Sequence, residues 1–168
     1  AILPELNRLF TQKARVLGKT FQPFSVRQTA PRIHLHYKET EQVHLALGFP
    51  AYKHGDTRLP ALSLLNVILG GNMSSRLFIA VRERRGLAYY VRSGADSYQD
   101  TGSFDVTAGL ASNRIELALK TILSELRRVR EKGVTEKELE KAKHYMRGKT
   151  TLAMEETSSI VSWYTRQV

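Results

Sequence analysis

The chain has 168 residues, of which 42% are hydrophobic, and its formal net charge is +10. This length can bury the core of one domain, and the absence of cysteine excludes disulfides and thiolate metal sites. Because no apolar run approaches the roughly 18 residues of a membrane span and the amino end lacks a signal-peptide pattern, we expect a soluble, cytoplasmic protein that does not enter a membrane. The lysines and arginines are interleaved with glutamate along the predicted helices, which favours a solvated basic surface over a nucleic-acid site.

The first 30 residues are predicted to form a helix and a connector. Apolar residues recur at helical spacing from Pro4 to Leu17, and Pro23 and Pro31 then break any further helix. Residues 31–168 are expected to form the main α+β domain.

Two segments after the connector alternate apolar and polar residues with the period of two that is typical of strands. The apolar members are Ile33, Leu35 and Tyr37 in the first segment, and Val43, Leu45, Leu47 and Phe49 in the second. Since a short polar stretch separates the two segments, the pattern predicts a β-hairpin.

The remainder of the chain is predicted to contain helices and two further strands. Arg58 to Leu69 is apolar almost all round, as in a buried helix, and strands are predicted at Ala88–Tyr98 and Ser103–Leu110. Two later helices begin at Asn113 and Thr135, each followed three residues on by the glutamate of a capping box, and Gly133 ends the first of them. This order of elements predicts an α+β fold, with an antiparallel-rich mixed sheet and helices packed mainly on one face.

The chain starts without methionine and ends within an amphipathic helical pattern that includes Trp163 and Tyr164. We therefore expect a fragment of a longer protein, with these two aromatic side chains buried against the missing part. In its absence, the exposed face is expected to favour self-association of the fragment.

The strongest local signals lie in residues 69–91, which read LGGNMSSRLFIAVRERRGLAYYV. The glycine pair is predicted to end one helix, Ser74 or Ser75 to cap the next helix, and Gly86 to close that helix in a left-handed conformation. A glycine-rich loop such as Gly70-Gly71-Asn72 also occurs in phosphate sites, but this loop follows a helix and lacks the lysine of a P-loop. Turn geometry is therefore the preferred interpretation.

The helix within this stretch is predicted to be amphipathic. Its core side carries Leu77, Val81 and Ala80, whereas Arg76, Glu83 and Arg84 are expected to be more exposed. Arg82 falls in the last turn, where the helix dipole favours a cation, and a strand is predicted to begin near Tyr89.

Three stretches of the sequence resemble the C-terminal, non-metal-binding half of the pitrilysin/insulinase-type zinc metallopeptidases. They read GGNMSSRLF, RERRGLAY and, from Glu39 to Pro50, ETEQVHLALGFP. That group includes mitochondrial processing peptidase and bacterial processing proteases. The resemblance covers residues 32–154 and implies the same α+β half-domain. In the family, an arginine and a tyrosine seven residues apart reach into the zinc site of the other half, and they match Arg82 and Tyr89.

The resemblance implies a substrate-binding, transition-state-stabilising domain of a zinc metalloendopeptidase that hydrolyses peptide bonds in unfolded peptides. Tyr89 would hydrogen-bond the scissile carbonyl or its oxyanion, and the guanidinium of Arg82 would hold a nearby substrate carbonyl. Zinc, water and base would come from a metal-binding N-terminal half, in the same chain or in a second subunit. The fragment alone is therefore expected to be inactive.

Two alternatives remain open. The first is a scaffold or assembly subunit of the same fold, against which the presence of both Arg82 and Tyr89 argues. The second, less favoured, is a basic nucleic-acid binding module, for which the sequence contains no recognisable motif. Without the resemblance, Arg82 would be a solvated cation at a helix end and Tyr89 a half-buried strand aromatic.

Metal ligands are not expected in this chain. The family's H-x-x-E-H motif does not occur, and the nearest string, His36 to Thr40, lacks the second histidine. His34 and His36 could share an ion with His44 across the predicted hairpin, but no carboxylate accompanies them. The preferred interpretation is that these histidines lie on a wet strand face.

Overall fold

The computed structural model describes residues 3–5, 8 and 22–165. Its elements in chain order are β1 (Val43–Ala51), α1 (Leu59–Leu69), a π-helix (Phe78–Glu83), β2 (Ala88–Ser97), β3 (Gly102–Leu110), a short 3₁₀ turn (Ser112–Arg114), α2 (Ile115–Lys132), α3 (Glu136–Ala153) and α4 (Thr157–Thr165). Residues 3–5 and 8 are helical, and the rest of the helix predicted from Pro4 to Leu17 lies outside the described residues. The division at residue 30 stays a prediction.

The three strands form one antiparallel sheet in the order β1-β3-β2. The central strand β3 turns Phe104, Val106, Ala108 and Leu110 towards the core, where α2 contributes Ala118 and Ile122. The opposite face carries exposed and half-exposed residues, among them His44, Arg92 and Thr107. The predicted α+β class, with an antiparallel sheet and helices mainly on one face, is confirmed.

The predicted hairpin is wrong. Residues 31–40 form no strand, and Ile33, Leu35 and Tyr37 are 86–90% exposed. Strand β1 pairs instead with β3, which comes much later in the chain, because that pairing places Leu45 and Leu47 against the core. The apolar residues that alternate in the earlier segment have no comparable apolar surface to pack against.

The buried helix α1 was correctly predicted. Its last turn buries Val67, Ile68 and Leu69, and the helix packs on β2 and α3. The helix ends at Gly70, as expected, where φ is −153° and ψ is 8°. Gly70 is required for close approach, because a Cβ there would collide with the backbone of Ser93 on β2.

The two long helices differ in how they begin. Thr135 and Glu138 form the predicted capping box at the start of α3. The capping box predicted at Asn113 is wrong, because the 3₁₀ turn occupies that position and α2 begins without a side-chain cap. Gly133 ends α2 with a φ of +67°, which only glycine adopts readily.

The short α4 exposes its aromatic residues. Trp163 and Tyr164 contact each other edge to face at 5.0 Å between ring centroids, and they remain 47% and 63% exposed. Their burial against another part of a longer protein stays a prediction. In the described part of the chain, no helix is long and apolar enough to cross a membrane.

Candidate active site

The helix that carries Arg82 is a π-helix rather than the predicted α-helix. Arg84 N–H donates to the Ile79 carbonyl at 2.9 Å, a bond across five residues that widens the turn. Leu77 and Val81 are fully buried beneath it, as predicted, and Arg82 lies in its last turn on the exposed side. Single π-turns of this kind are frequent at functional sites.

The predicted serine caps are wrong. Asn72 instead orders the turn before the helix, because its Oδ1 accepts the Ser74 N–H at 2.8 Å and the Ser74 hydroxyl at 2.8 Å. The Ser75 hydroxyl is buried and has no hydrogen-bond partner in the described part of the chain. An asparagine side chain often stabilises a turn by accepting the backbone N–H two residues later. Because two serines follow, this role of Asn72 was not predicted from the sequence.

Gly86 reverses the chain between the π-helix and β2. Its φ is +57°, the left-handed conformation predicted for it. Its N–H donates to the Arg82 carbonyl at 2.9 Å, and Leu87 N–H donates to the Val81 carbonyl at 2.9 Å. Leu87 is then fully buried, so the connection between Arg82 and the strand is fixed by the backbone and by the core.

Tyr89 lies at a break in the register of the sheet. Ala88 pairs with Leu110 and Tyr90 pairs with Gly109, which leaves Tyr89 as the extra residue of a β-bulge. Bulges bend a strand and change the direction of a side chain, and they are frequent beside active sites. Tyr89 is 56% exposed, so more than half of its surface remains accessible.

The side-chain hydrogen-bond donors of Arg82 and Tyr89 have no acceptor among the described residues. The guanidinium of Arg82 lies 5.1 Å from the centroid of the Phe78 ring, and within the described residues it makes no ion pair. The Tyr89 hydroxyl likewise makes no hydrogen bond to the described part of the chain. The two residues lie on consecutive elements joined by the Gly86 turn, and no hydrogen bond or cation–π interaction joins their side chains.

Sequence reasoning missed a polar pair next to Tyr89. The Tyr90 hydroxyl lies 3.0 Å from His44 Nδ1 on the open face of the sheet. The Tyr90 ring crosses Gly109 on β3, where a Cβ would come within 2.5 Å of the ring. The only signal in the sequence is a glycine inside a strand, which often marks close approach of another group.

This pairing also corrects the histidine proposal. Because residues 31–40 form no strand, His36 does not lie opposite His44, whose partner is Tyr90. Among the described residues, no group of three or more histidine, cysteine or carboxylate side chains could hold a metal ion.

A second missed interaction joins the start of the π-helical segment to α3. Arg76 Nε donates to Glu138 Oε1 at 2.6 Å and Arg76 Nη2 to Oε2 at 2.7 Å, and only 14% of the arginine side chain is exposed. Arg76, predicted to be among the more exposed residues of this helix, is therefore largely buried, whereas Glu83 and Arg84 are exposed as predicted. The bonds from Arg76, together with those from Thr135, lower the pKa of Glu138 to about 2, and the carboxylate in turn raises the pKa of Arg76.

The sequence and the fold of this chain are similar to those of known proteins. Residues 3–146 match the family described as "Peptidase M16 inactive domain". The chain belongs to this family. The resemblance to the non-metal half of the zinc metallopeptidases is thereby confirmed.

Relatives of the chain include proteins named as zinc proteases. An uncharacterized zinc protease of Bacillus subtilis, YmxG, is 45% identical over 125 residues, which are 74% of this chain and 31% of the relative. An uncharacterized zinc protease of Streptomyces coelicolor is 35% identical over 167 residues, which are 96% of this chain and 36% of the relative. The chain thus spans about a third of the length of these relatives.

Solved structures share the fold. A peptidase M16 inactive domain from Pseudomonas fluorescens is similar with a TM-score of 0.63 and 34% identity, over 65% of this chain and 27% of that one. A protease from Helicobacter pylori has a TM-score of 0.72 at 24% identity, over 77% of this chain and 32% of that one, which shows a common fold.

Zinc does not fit the residues of this chain. The H-x-x-E-H string is absent from the whole sequence, and no cluster of suitable ligands occurs among the described residues. The inactive-domain description agrees with this absence of metal ligands. The two candidate residues, Arg82 and Tyr89, offer hydrogen-bond donors and a positive charge.

Proposed function

We propose that this chain is the substrate-binding, transition-state-stabilising part of a zinc metalloendopeptidase that cleaves unfolded peptides. Arg82 and Tyr89 carry this role. A metal-binding half, in the same longer chain or in another subunit, supplies zinc, the attacking water and the base. On its own the chain has no peptidase activity.

The observation that carries the proposal is the placement of Arg82 and Tyr89 on two successive backbone irregularities. A π-helix holds the first and a β-bulge the second, and Gly86 fixes the connection between them. Their side chains are exposed, and within the described residues their donors are unused. A π-helix and a β-bulge interrupt regular hydrogen bonding, and packing alone does not require them. Both are frequent at functional sites, where they change the direction of a side chain.

The chemistry of each donor suits peptide hydrolysis. The Tyr89 phenol donates a hydrogen bond to the oxygen on which negative charge develops, and such a preorganised donor stabilises the transition state more than the ground state. Arg82 presents several N–H groups in a fixed planar fork, which orients a neighbouring peptide carbonyl.

The test uses the longer protein that contains both halves, with a fluorogenic unfolded peptide as substrate. Removing one oxyanion donor typically lowers turnover by about 10²- to 10³-fold, so Tyr89→Phe is expected to lower kcat by about 100-fold. Zinc content, measured by atomic absorption, is expected to be unchanged. Arg82→Lys keeps the positive charge but removes the paired N–H donors of the guanidinium. It is expected to raise KM as well as lower kcat.

Two matched variants control for general damage. Tyr98→Phe removes a hydroxyl from a tyrosine that is 55% exposed just beyond β2, and Arg114→Lys changes an exposed arginine before α2. Both are expected to leave kcat unchanged. Activity of Tyr89→Phe equal to that of Tyr98→Phe would refute the catalytic role and favour the scaffold alternative.

A further inference from the structure

A basic cleft lies between the π-helix and α2, apart from Arg82 and Tyr89. It consists of two adjoining cavities of about 190 and 130 Å³, both lined by Ala80, Arg84 and Glu125. A water molecule occupies about 30 Å³ in the liquid, so the larger cavity has room for several waters or for one oxyanion of phosphate size.

Guanidinium groups outnumber carboxylates in this cleft. Arg76 and Arg128 line the larger cavity and Arg85 the smaller one, whereas the acidic residues are Glu125 and Glu138. Arg84 and Arg85 make no ion pair or hydrogen bond through their side chains within the described part of the chain. A concave surface with an excess of one charge raises the local concentration of the opposite ion.

Each of the two carboxylates pairs with one arginine, and this leaves Arg84 and Arg85 as the excess positive charge of the cleft. Glu138 is occupied by its two bonds to Arg76 and by the cap of α3 at Thr135. Glu125 lies 3.6 Å from Arg128 Nη1, which is beyond a good hydrogen-bond distance. The charge of Glu125 opposes a bound anion, and this gives a direct test of the site.

An unsatisfied donor lies on Arg76, one of the residues that line the larger cavity. Arg76 Nη1 is buried and has no hydrogen-bond partner among the described residues, although Nε and Nη2 of the same group are both bonded. A buried charged donor without an acceptor is costly, so such groups usually bond to water or to an ion. An oxyanion that reached Nη1 would supply this acceptor while Nε and Nη2 stay bonded to Glu138.

We propose that this cleft binds a phosphate-type oxyanion, either inorganic phosphate or a phosphomonoester. Arg76, Arg84 and Arg128 hold it, because arginine forks match the oxygens of phosphate in paired, charge-assisted bonds. Arg84 directly follows the π-helix, so the bound anion ties the end of that helix to α2, two residues from Arg82. The inference does not depend on the proposed peptidase function.

The test titrates the chain with inorganic phosphate by calorimetry, with sodium chloride adjusted to keep the ionic strength constant. Saturable binding is expected, and Arg84→Gln/Arg128→Gln is expected to weaken it by at least about tenfold, which is roughly the contribution of one charged hydrogen bond. Glu125→Gln removes the opposing charge and is expected to tighten binding. Phosphoserine in place of phosphate distinguishes a site that accepts monoesters from one limited to the free ion.

The matched control is Arg127→Gln/Arg130→Gln, which removes the same number of charges at two positions of α2 that line a different cavity. It is expected to change the affinity less than twofold. Hydrogen exchange gives a second readout, since phosphate is expected to slow exchange of amides in residues 78–87 in the wild type and in this control, but not in Arg84→Gln/Arg128→Gln. Equal weakening by the two double variants, or no saturable binding, would overturn the proposal.

Discussion

Glu138→Ala is expected to be among the most destabilising changes of a charged residue in the domain. The carboxylate accepts two bonds from Arg76, at 2.6 and 2.7 Å, and it also accepts the Thr135 N–H at 2.8 Å. Its removal would break the link between the π-helical segment and α3. It would also leave the guanidinium of Arg76 mostly buried without its charge partner.

The magnitude follows from the exposure of the two side chains, 14% for Arg76 and 30% for Glu138. Exposed pairs contribute about 0–1 kcal/mol, and breaking a buried pair costs about 3–5 kcal/mol. A partly buried, doubly bonded pair therefore contributes about 2–3 kcal/mol, and loss of the helix cap adds about 1 kcal/mol. The expected loss of unfolding free energy is about 3–4 kcal/mol.

Urea unfolding followed by circular dichroism measures this loss. Thr135→Ala, which removes only part of the cap, is expected to cost about 1 kcal/mol. Glu140→Ala breaks an exposed pair with Lys143 and is expected to cost no more than about 0.5 kcal/mol. A cost for Glu138→Ala no larger than that for Thr135→Ala would refute the assigned contribution of the ion pair.

The same pair predicts a dependence of stability on pH. The pKa of Glu138 falls from 4.5 to about 2 on folding, so the folded state binds fewer protons than the unfolded state in this range. The contribution of Glu138 is fully present above pH 4.5 and is lost as the pH falls through about 2. The difference in stability between wild type and Glu138→Ala is therefore expected to shrink between pH 5 and pH 2, and a constant difference would contradict the assignment.

Three further substitutions test packing and backbone features by urea unfolding. Gly86→Ala is expected to cost about 1–2 kcal/mol, because it forces a side chain into the left-handed conformation at φ +57°, and an unchanged midpoint would argue against that conformation. Gly109→Ala is expected to displace the Tyr90 ring and break its hydrogen bond to His44, at about 1–3 kcal/mol, and an unchanged His44 signal in NMR spectra would count against this contact. Leu77→Ala, at a fully buried position, is expected to cost about 3–5 kcal/mol, and a cost below 1 kcal/mol would place Leu77 outside the core.

Local signals predicted much of the fold correctly. The capping box at Thr135, the left-handed turn at Gly86 and the buried helix α1 each depend on residues within a few positions of one another. Strands β2 and β3 were also found within a residue or two, and the apolar residues of β3 alternate regularly. Such features need no knowledge of distant contacts.

Features that depend on distant partners were missed. The segment around Leu35 alternates as well as β1 does, yet only β1 has core surface to cover, and the choice is decided by β3. Arg76 was expected to be exposed because its partner, Glu138, lies 62 residues later in the chain. The candidate pair Arg82 and Tyr89 was selected by family resemblance, whereas the backbone irregularities under both residues left no pattern in the sequence.

The π-helix and the β-bulge also bear on how homologous sequences should be aligned and engineered. Each irregularity accommodates one residue more than the regular element would, and each residue of a helix turns the side-chain direction by about 100°. A one-residue deletion between Phe78 and Arg82 would therefore restore a regular helix and keep the spacing to Tyr89, while rotating one side chain relative to the other. Sequence spacing alone does not preserve the geometry of this pair, so loop grafts between family members should transfer residues 78–90 as a single block.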